Sequence, residues 1–131
     1  MEYRTAILIK PQLEQEIIFI LHFLESNNKH NLNVSFGWGC SLDDDALYQP
    51  KPLPLSGLST FIAQSAASGI FSLGEGDFSI ESQDGEISFL LCHESDIHVT
   101  AKKSELAQKV AAEWKARGYA PYEIIPKPSV N

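Results

Sequence analysis

Cysteine is scarce: Cys40 and Cys92 are the whole supply, far apart in the chain. A disulfide framework is therefore excluded, and two separate thiols are expected rather than a bridge. Cations are scarce too, with 10 Lys and Arg against 17 Asp and Glu, a formal net charge of −7 and a pI near 5.0. That balance lacks the dense Lys/Arg footprint a phosphate backbone demands, so nucleic acid is not an expected partner. Long apolar runs are missing as well. Near the N-terminus Ala6 to Ile9 and Ile17 to Leu21 are interrupted by Lys10, Pro11, Glu14 and Glu16, and no small-residue cleavage site follows. The uncharged stretch between Lys51 and Glu75 is diluted by Pro52, Pro54, Ser56, Gly57 and Gly69, too polar for a bilayer span. A soluble, cytoplasmic chain with no membrane partner is expected. What is present is ordinary globular material: 131 residues, 44% hydrophobic and 10% aromatic, enough for one domain over residues 1–131.

Along the chain, Tyr3 to Ile9 reads as a strand, and Pro11 permits a helix to start after it. Leu13, Ile17, Leu21 and Leu24 form a helical stripe that Ile18, Phe19, Ile20 and Phe23 widen, so this helix is expected to be covered on several sides. Leu32, Val34, Phe36 and Trp38 alternate with Asn33, Ser35 and Gly37, the period of a strand with one wet face. The prolines at 50, 52 and 54 and the three aspartates mark a long surface loop over 39–56. Leu58, Phe61, Ile62, Ser65 and Ile70 then suggest a second helix, with Ser56 as its cap and Gly69 near its end. Its lack of charge implies burial, within one subunit or between two, so a monomer or a homodimer is expected.

The clearest hairpin joins Phe78 and Ile80 to Ile87, Phe89 and Leu91 through Asp84-Gly85. His93 to Asp96 connects onward to Ile97–Thr100, and Leu106, Val110 and Trp114 mark a third helix that stops near Gly118, the stripe reading as core. Tyr119 to Ile125 supplies a last strand before a tail at 126–131. The order β-α-β-α-β-β-β-α-β predicts an α+β fold, a mostly antiparallel sheet with helices packed on it.

No assembled catalytic set is visible. Gly-x-Ser-x-Gly is absent, and Gly74-Glu75-Gly76 lacks the third glycine and following helix of a phosphate cradle. The run His93-Glu94-Ser95-Asp96-Ile97-His98 offers imidazoles and carboxylates, but its histidines lie at i and i+5, unlike the i, i+4 pair of the helical zinc motif. On a hairpin Asp96 and His98 share one strand face and His93 arrives from the neighbouring strand. One reading is therefore a small enzyme or a metal- or ligand-binding site centred on His93, Asp96 and His98, assisted by Cys40. The plainer one is a polar turn whose histidine is hydrogen-bonded to a carboxylate, with no metal or cofactor.

Gly37-Trp38-Gly39-Cys40 resembles the segment around the nucleophilic cysteine of the autophagin family of papain-like proteases, where the string leads into a helix that helps lower the thiol pKa. Here Ser41, Leu42 and three aspartates follow, which raise a thiol pKa, and the Asp-Pro-His context is missing. His93 or His98 would have to be the base. A strand-end thiol between turning glycines is the reading that remains.

Asp43, Asp44 and Asp45, with Tyr48 close by, are the residues most suited to function. Adjacent carboxylates repel one another until solvent, a cation or a basic partner relieves them, and an aromatic beside them can supply a desolvated contact. The overall charge, this loop, and an acidic hairpin region with Glu75, Asp77, Glu81, Asp84, Glu94 and Asp96 resemble, in type, the immunity proteins of bacterial polymorphic toxin systems. That resemblance implies a non-enzymatic inhibitor that occludes a basic toxin or nuclease domain. Asp43, Asp44, Asp45, Glu94 and Asp96 would steer the partner, with Tyr48 or Trp38 as a buried anchor.

Overall fold

Apolar side chains at every second position of Leu32–Phe36, Phe78–Ile80, Ile87–Leu91 and Ile97–Val99 give one sheet a single greasy face, and the helices pack on that face. The structure, a computed structural model, describes residues 1–126. In chain order its elements are β1 (Glu2–Arg4), α1 (Lys10–Ser26), β2 (Asn31–Phe36), β3 (Lys51–Pro54), α2 (Leu58–Ala67), β4 (Phe78–Ser82), β5 (Ile87–Leu91), β6 (Ile97–Ala101), α3 (Ser104–Ala116) and β7 (Tyr122–Ile124). The seven strands form one sheet in the order β3-β2-β4-β5-β6-β1-β7, every neighbouring pair antiparallel. The α+β fold expected from the sequence is thus the one formed, with an additional strand, β3.

That strand lies inside the segment read as loop. Pro52 and Pro54 pair with Asn33 and Asn31 of β2. Prolines two apart turn both donor-less nitrogens to the same side, and on an edge strand that side is the open one. Turn-like composition and edge-strand geometry coincide here, so the prolines hid the strand.

Each helix contributes a stripe to the greasy face. Phe23 of α1 meets Phe89 edge-on at 6.2 Å, and Phe61 of α2 stacks on Phe36 at 5.7 Å. In α3, Ala107, Val110 and Trp114 are fully buried. The first helix departs from expectation, because only one side of it is covered. Leu13, Glu16, Ile20 and Leu24 are its buried residues, whereas Ile18 is 56% exposed. The carboxylate takes an inward position that apolar periodicity would have given to a hydrophobe. Glu16 is tolerated there because Trp114 Nε1 donates to its Oε2 at 2.7 Å and Arg117 donates to Oε1. Burial still pushes its carboxyl above the ordinary range, ahead of the opposing effects of Trp114 and Arg117.

The first strand is shorter than the Tyr3 to Ile9 run. Beyond Arg4 the chain bridges separate partners, Thr5 N–H to Ile97 O, Ala6 N–H to Tyr119 O and Leu8 N–H to Ser95 O, so regular pairing stops. Leu8 is buried while Ile7 and Ile9 remain 80% and 65% exposed beside the β5–β6 turn. Of the tail expected at 126–131, only Pro126 falls within the described residues.

Candidate functional site

The sheet has two ends. At one lie the β4–β5 turn and the start of β2; at the other lie the end of β2, the start of β4, the β5–β6 turn and the residues after β1. Most of the residues singled out from the sequence gather at the second end.

There the pairing of β2 with β4 runs past Phe36: Gly37 N–H donates to Asp77 O at 2.9 Å, and Asp77 N–H to Trp38 O at 2.8 Å. A β-carbon on Gly37 would stand 2.8 Å from the Tyr48 ring, so the aromatic lies directly against the glycine backbone. Gly39, at φ +85°, turns the chain where a β-carbon would sit 2.4 Å from Glu75 O, which only glycine permits. The loop then reaches the turn that follows α2, where Ser41 N–H donates to Ile70 O. It makes a turn on Asp43 O and returns as Tyr48 N–H donates to Phe36 O. Asp43, Asp44 and Asp45 are all exposed on that turn. Trp38 and Tyr48 are 60% and 64% exposed.

The β5–β6 hairpin closes through Cys92 N–H to Asp96 O, with Ser95 in the left-handed region at φ 64°. Ser95 Oγ donates to Gly74 O, docking the turn on the Gly74–Gly76 corner. His93 is held by Asp77: its backbone N–H and its Nδ1 both contact Asp77 Oδ1, at 2.7 and 2.8 Å. The Trp38 indole lies 4.4 Å from the imidazole centroid. Glu94, mostly exposed, reaches His93 Nε2 at 3.7 Å.

The expected His93, Asp96 and His98 centre is therefore divided. His93 belongs with Asp77, and His98 Nε2 belongs with Asp96 Oδ2 at 2.9 Å. Cys92 lies between the pairs, and its Sγ completes a group of close donors with either one. The sequence reading named Cys40 as helper. Cys40 Sγ instead donates to Asp77 O at 3.3 Å.

Neither thiol is activated. Burial pushes Cys92 up to about 12, with the Asp96 and Asp77 carboxylates adding to it against a backbone donor at Glu94. Burial raises the Cys40 thiol as well, over a backbone hydrogen bond from Gly37. The likeness of Gly37–Cys40 to a protease nucleophile thus stops at the string itself, since a nucleophilic thiol needs a lowered pKa. Both thiols are free.

Asp96 also corrects the docking set, because it is only 8% exposed and its carboxylate is engaged with His98. The acidic hairpin region is not one surface either. Asp77 is half-buried under His93, and Asp84 sits at the opposite end, where Lys29 Nζ contacts Asp84 Oδ2 and Glu86 Oε2 at 2.6 and 2.5 Å. Sequence reasoning gave Cys92 no role at the site and counted Asp77 only within an acidic hairpin region. Period two in β5 places Cys92 on the face of Ser88 and Leu90, hence opposite Asp96, and that signal was available once the hairpin was paired.

Among the described residues no helix is long and apolar enough to cross a membrane, and Asp43, Asp44, Asp45 and Glu75 make no ion pair. Comparison of the chain with protein-family models, with curated proteins and with solved structures finds no match.

Proposed function

We propose that this chain is a small acidic binding protein of the immunity type, which docks its acidic turn end over the cationic cleft of a basic toxin or nuclease domain and occludes it. The observation that carries this reading is a contrast in charge use. Asp43, Asp44, Asp45, Glu75 and Glu94 share one end of the sheet with exposed Trp38, Tyr48, Ile7 and Ile9 and form no ion pair with a Lys or Arg among the described residues, while Asp84 and Glu86 at the opposite end are paired with Lys29. From 30 to 101 Lys51 is the only Lys or Arg in the chain. Exposed large apolar groups ringed by one sign of charge suit a partner interface, the charge steering encounter and the aromatics supplying desolvated anchors. In this reading the chain acts by binding, in the cytoplasm.

The test uses the products of the genes that flank its own, expressed singly in a heterologous host. One should arrest growth, coexpression of the wild-type chain should restore it, and a variant carrying D43N, D44N, D45N and W38A should not. Neutralisation by that variant as good as by the wild type, or a set of neighbours with no toxic product, would overturn the reading. With the purified pair, D43N/D44N/D45N should slow association and flatten its salt dependence, whereas W38A should speed dissociation.

A further inference from the structure

Beneath the docking end, on the sheet face that no helix covers, one buried polar atom is without a partner: Asp96 Oδ1. Buried carboxylate oxygens are almost always satisfied, and in a residue 8% exposed the only donor beside this one is the weak Cys92 thiol, so the place suits a cation better. Its neighbours are informative. Cys92 Sγ and His98 Nε2 join an Asp96 oxygen in a set whose donor atoms all lie within 4.8 Å of one another. We propose that Cys92 Sγ, an Asp96 carboxylate oxygen and His98 Nε2 form a binding site for a single divalent cation of the zinc class, unconnected with the docking function above.

The donor chemistry selects the metal. One thiolate, one imidazole and one carboxylate suit zinc, whereas calcium and magnesium want oxygen donors throughout. Bonds of about 2.0–2.3 Å place the donors of a tetrahedral zinc about 3–4 Å apart, so this set needs only a small adjustment. His98 Nε2 and Asp96 Oδ2, in hydrogen-bond contact at 2.9 Å, must separate slightly as both turn to the ion. The charge closes as well: the thiol releases its proton to solvent as the metal binds, and thiolate plus carboxylate then neutralise the two positive charges in a largely buried place. Three protein donors leave the fourth position to water or an incoming ligand, and the slight exposure of His98 and Asp96 gives it access.

The neighbouring trio of Asp77, Cys92 and His93 is the weaker candidate for the same sulfur. Asp77 Oδ1 already accepts the His93 backbone N–H and contacts its Nδ1, so that carboxylate is not waiting for a cation. It stands instead as outer support, His93 Nδ1 being 3.8 Å from Cys92 Sγ.

Cobalt(II) titration of the untagged full chain tests the assignment, because a thiolate-to-cobalt charge-transfer band reports the Cys92 bond directly. Stoichiometric binding with that band, displaced by zinc, is expected. C92S should abolish the band, and H98Q and D96N should each weaken affinity by more than the roughly 10–100-fold that loss of an outer-shell partner brings. C40S should keep the band at wild-type affinity, and H93Q should keep the band with no more than the roughly 10–100-fold weakening of an outer-shell loss. Circular dichroism checks each variant for folding, and if C92S does not fold, H98Q and D96N decide the matter. Absence of the band from the wild type, its survival in C92S, or its loss in H93Q with retention in H98Q would overturn the proposal.

Discussion

The two ends of the sheet treat negative charge in opposite ways. At the β4–β5 turn, Asp84 accepts from Lys29, Ser82 and the Glu86 backbone, and Glu86 shares the same ammonium, so the acids there are consumed in holding the turn. At the β5–β6 end the carboxylates of Asp43, Asp44 and Asp45 form no ion pair among the described residues, and Trp38 and Tyr48 of the same loop region stand exposed. The lesson is that a net charge of −7 says little about where charge is free. Composition counts both ends alike, and only pairing tells structural acid from surplus acid.

The largest effect expected from breaking this contrast is at Gly39, where the acidic loop leaves the sheet. Gly39→Ala forces a side chain onto a left-handed backbone and drives its β-carbon against Glu75 O, so it should lower stability by about 2 kcal/mol or more in a urea melt. It should weaken partner binding too, because the loop is displaced. Next in size is the exchange of roles between the ends. Lys29→Met should lower stability by about 0.5–1 kcal/mol by stranding two carboxylates, whereas D43N/D44N/D45N should leave the urea midpoint unchanged or raise it.

A smaller effect appears with pH. Lys29 and then Ser82 hold the Asp84 carboxyl well below the usual carboxylate range. Its folded value lies below its unfolded one, so its stabilisation is present above about pH 4 and lost as the pH falls toward the depressed value. Wild type should therefore exceed Asp84→Asn in stability at neutral pH, and the two should converge in acid, as read by denaturation at several pH values. The smallest effect concerns the thiols of the acidic end: at neutral pH iodoacetamide should modify the native protein slowly, at half-buried Cys40 before buried Cys92.

Local periodicity carried most of the fold into the sequence. The Phe78–Leu91 hairpin alternates cleanly about Asp84-Gly85, with Gly85 at φ 72° as such a turn requires, and Leu106, Val110 and Trp114 mark α3 at helical spacing. What was illegible depends on partners distant in the chain. Nothing local distinguishes Pro52 and Pro54 on an edge strand from prolines in a loop, and nothing local tells that Glu16 is compensated by Trp114 and Arg117, 98 and 101 residues on.

The candidate site shows the same division. Trp38, Tyr48, Asp43, Asp44, Asp45 and Glu94 were nameable from composition and do share one end of the sheet. That His98 and Asp96 face each other was also legible, as an i, i+2 pair on one strand face, but the assignment of His93 to Asp77 was not, because it follows from the β2–β4 pairing that brings Asp77 alongside. Cys92 entered the sequence reading only as one of two separate thiols, and its register across from Asp96 gives it chemistry.

The claim that surplus carboxylate at one end forms a docking template is tested most directly by amide chemical-shift mapping as an oligo-arginine peptide is titrated into the labelled protein. Shifts confined to residues 37–48, 75–77 and 93–95, fading as salt is added and absent around Asp84 and Glu86, are the expected result. Shifts spread evenly over every acidic residue, or centred on the Lys29 end, would contradict it.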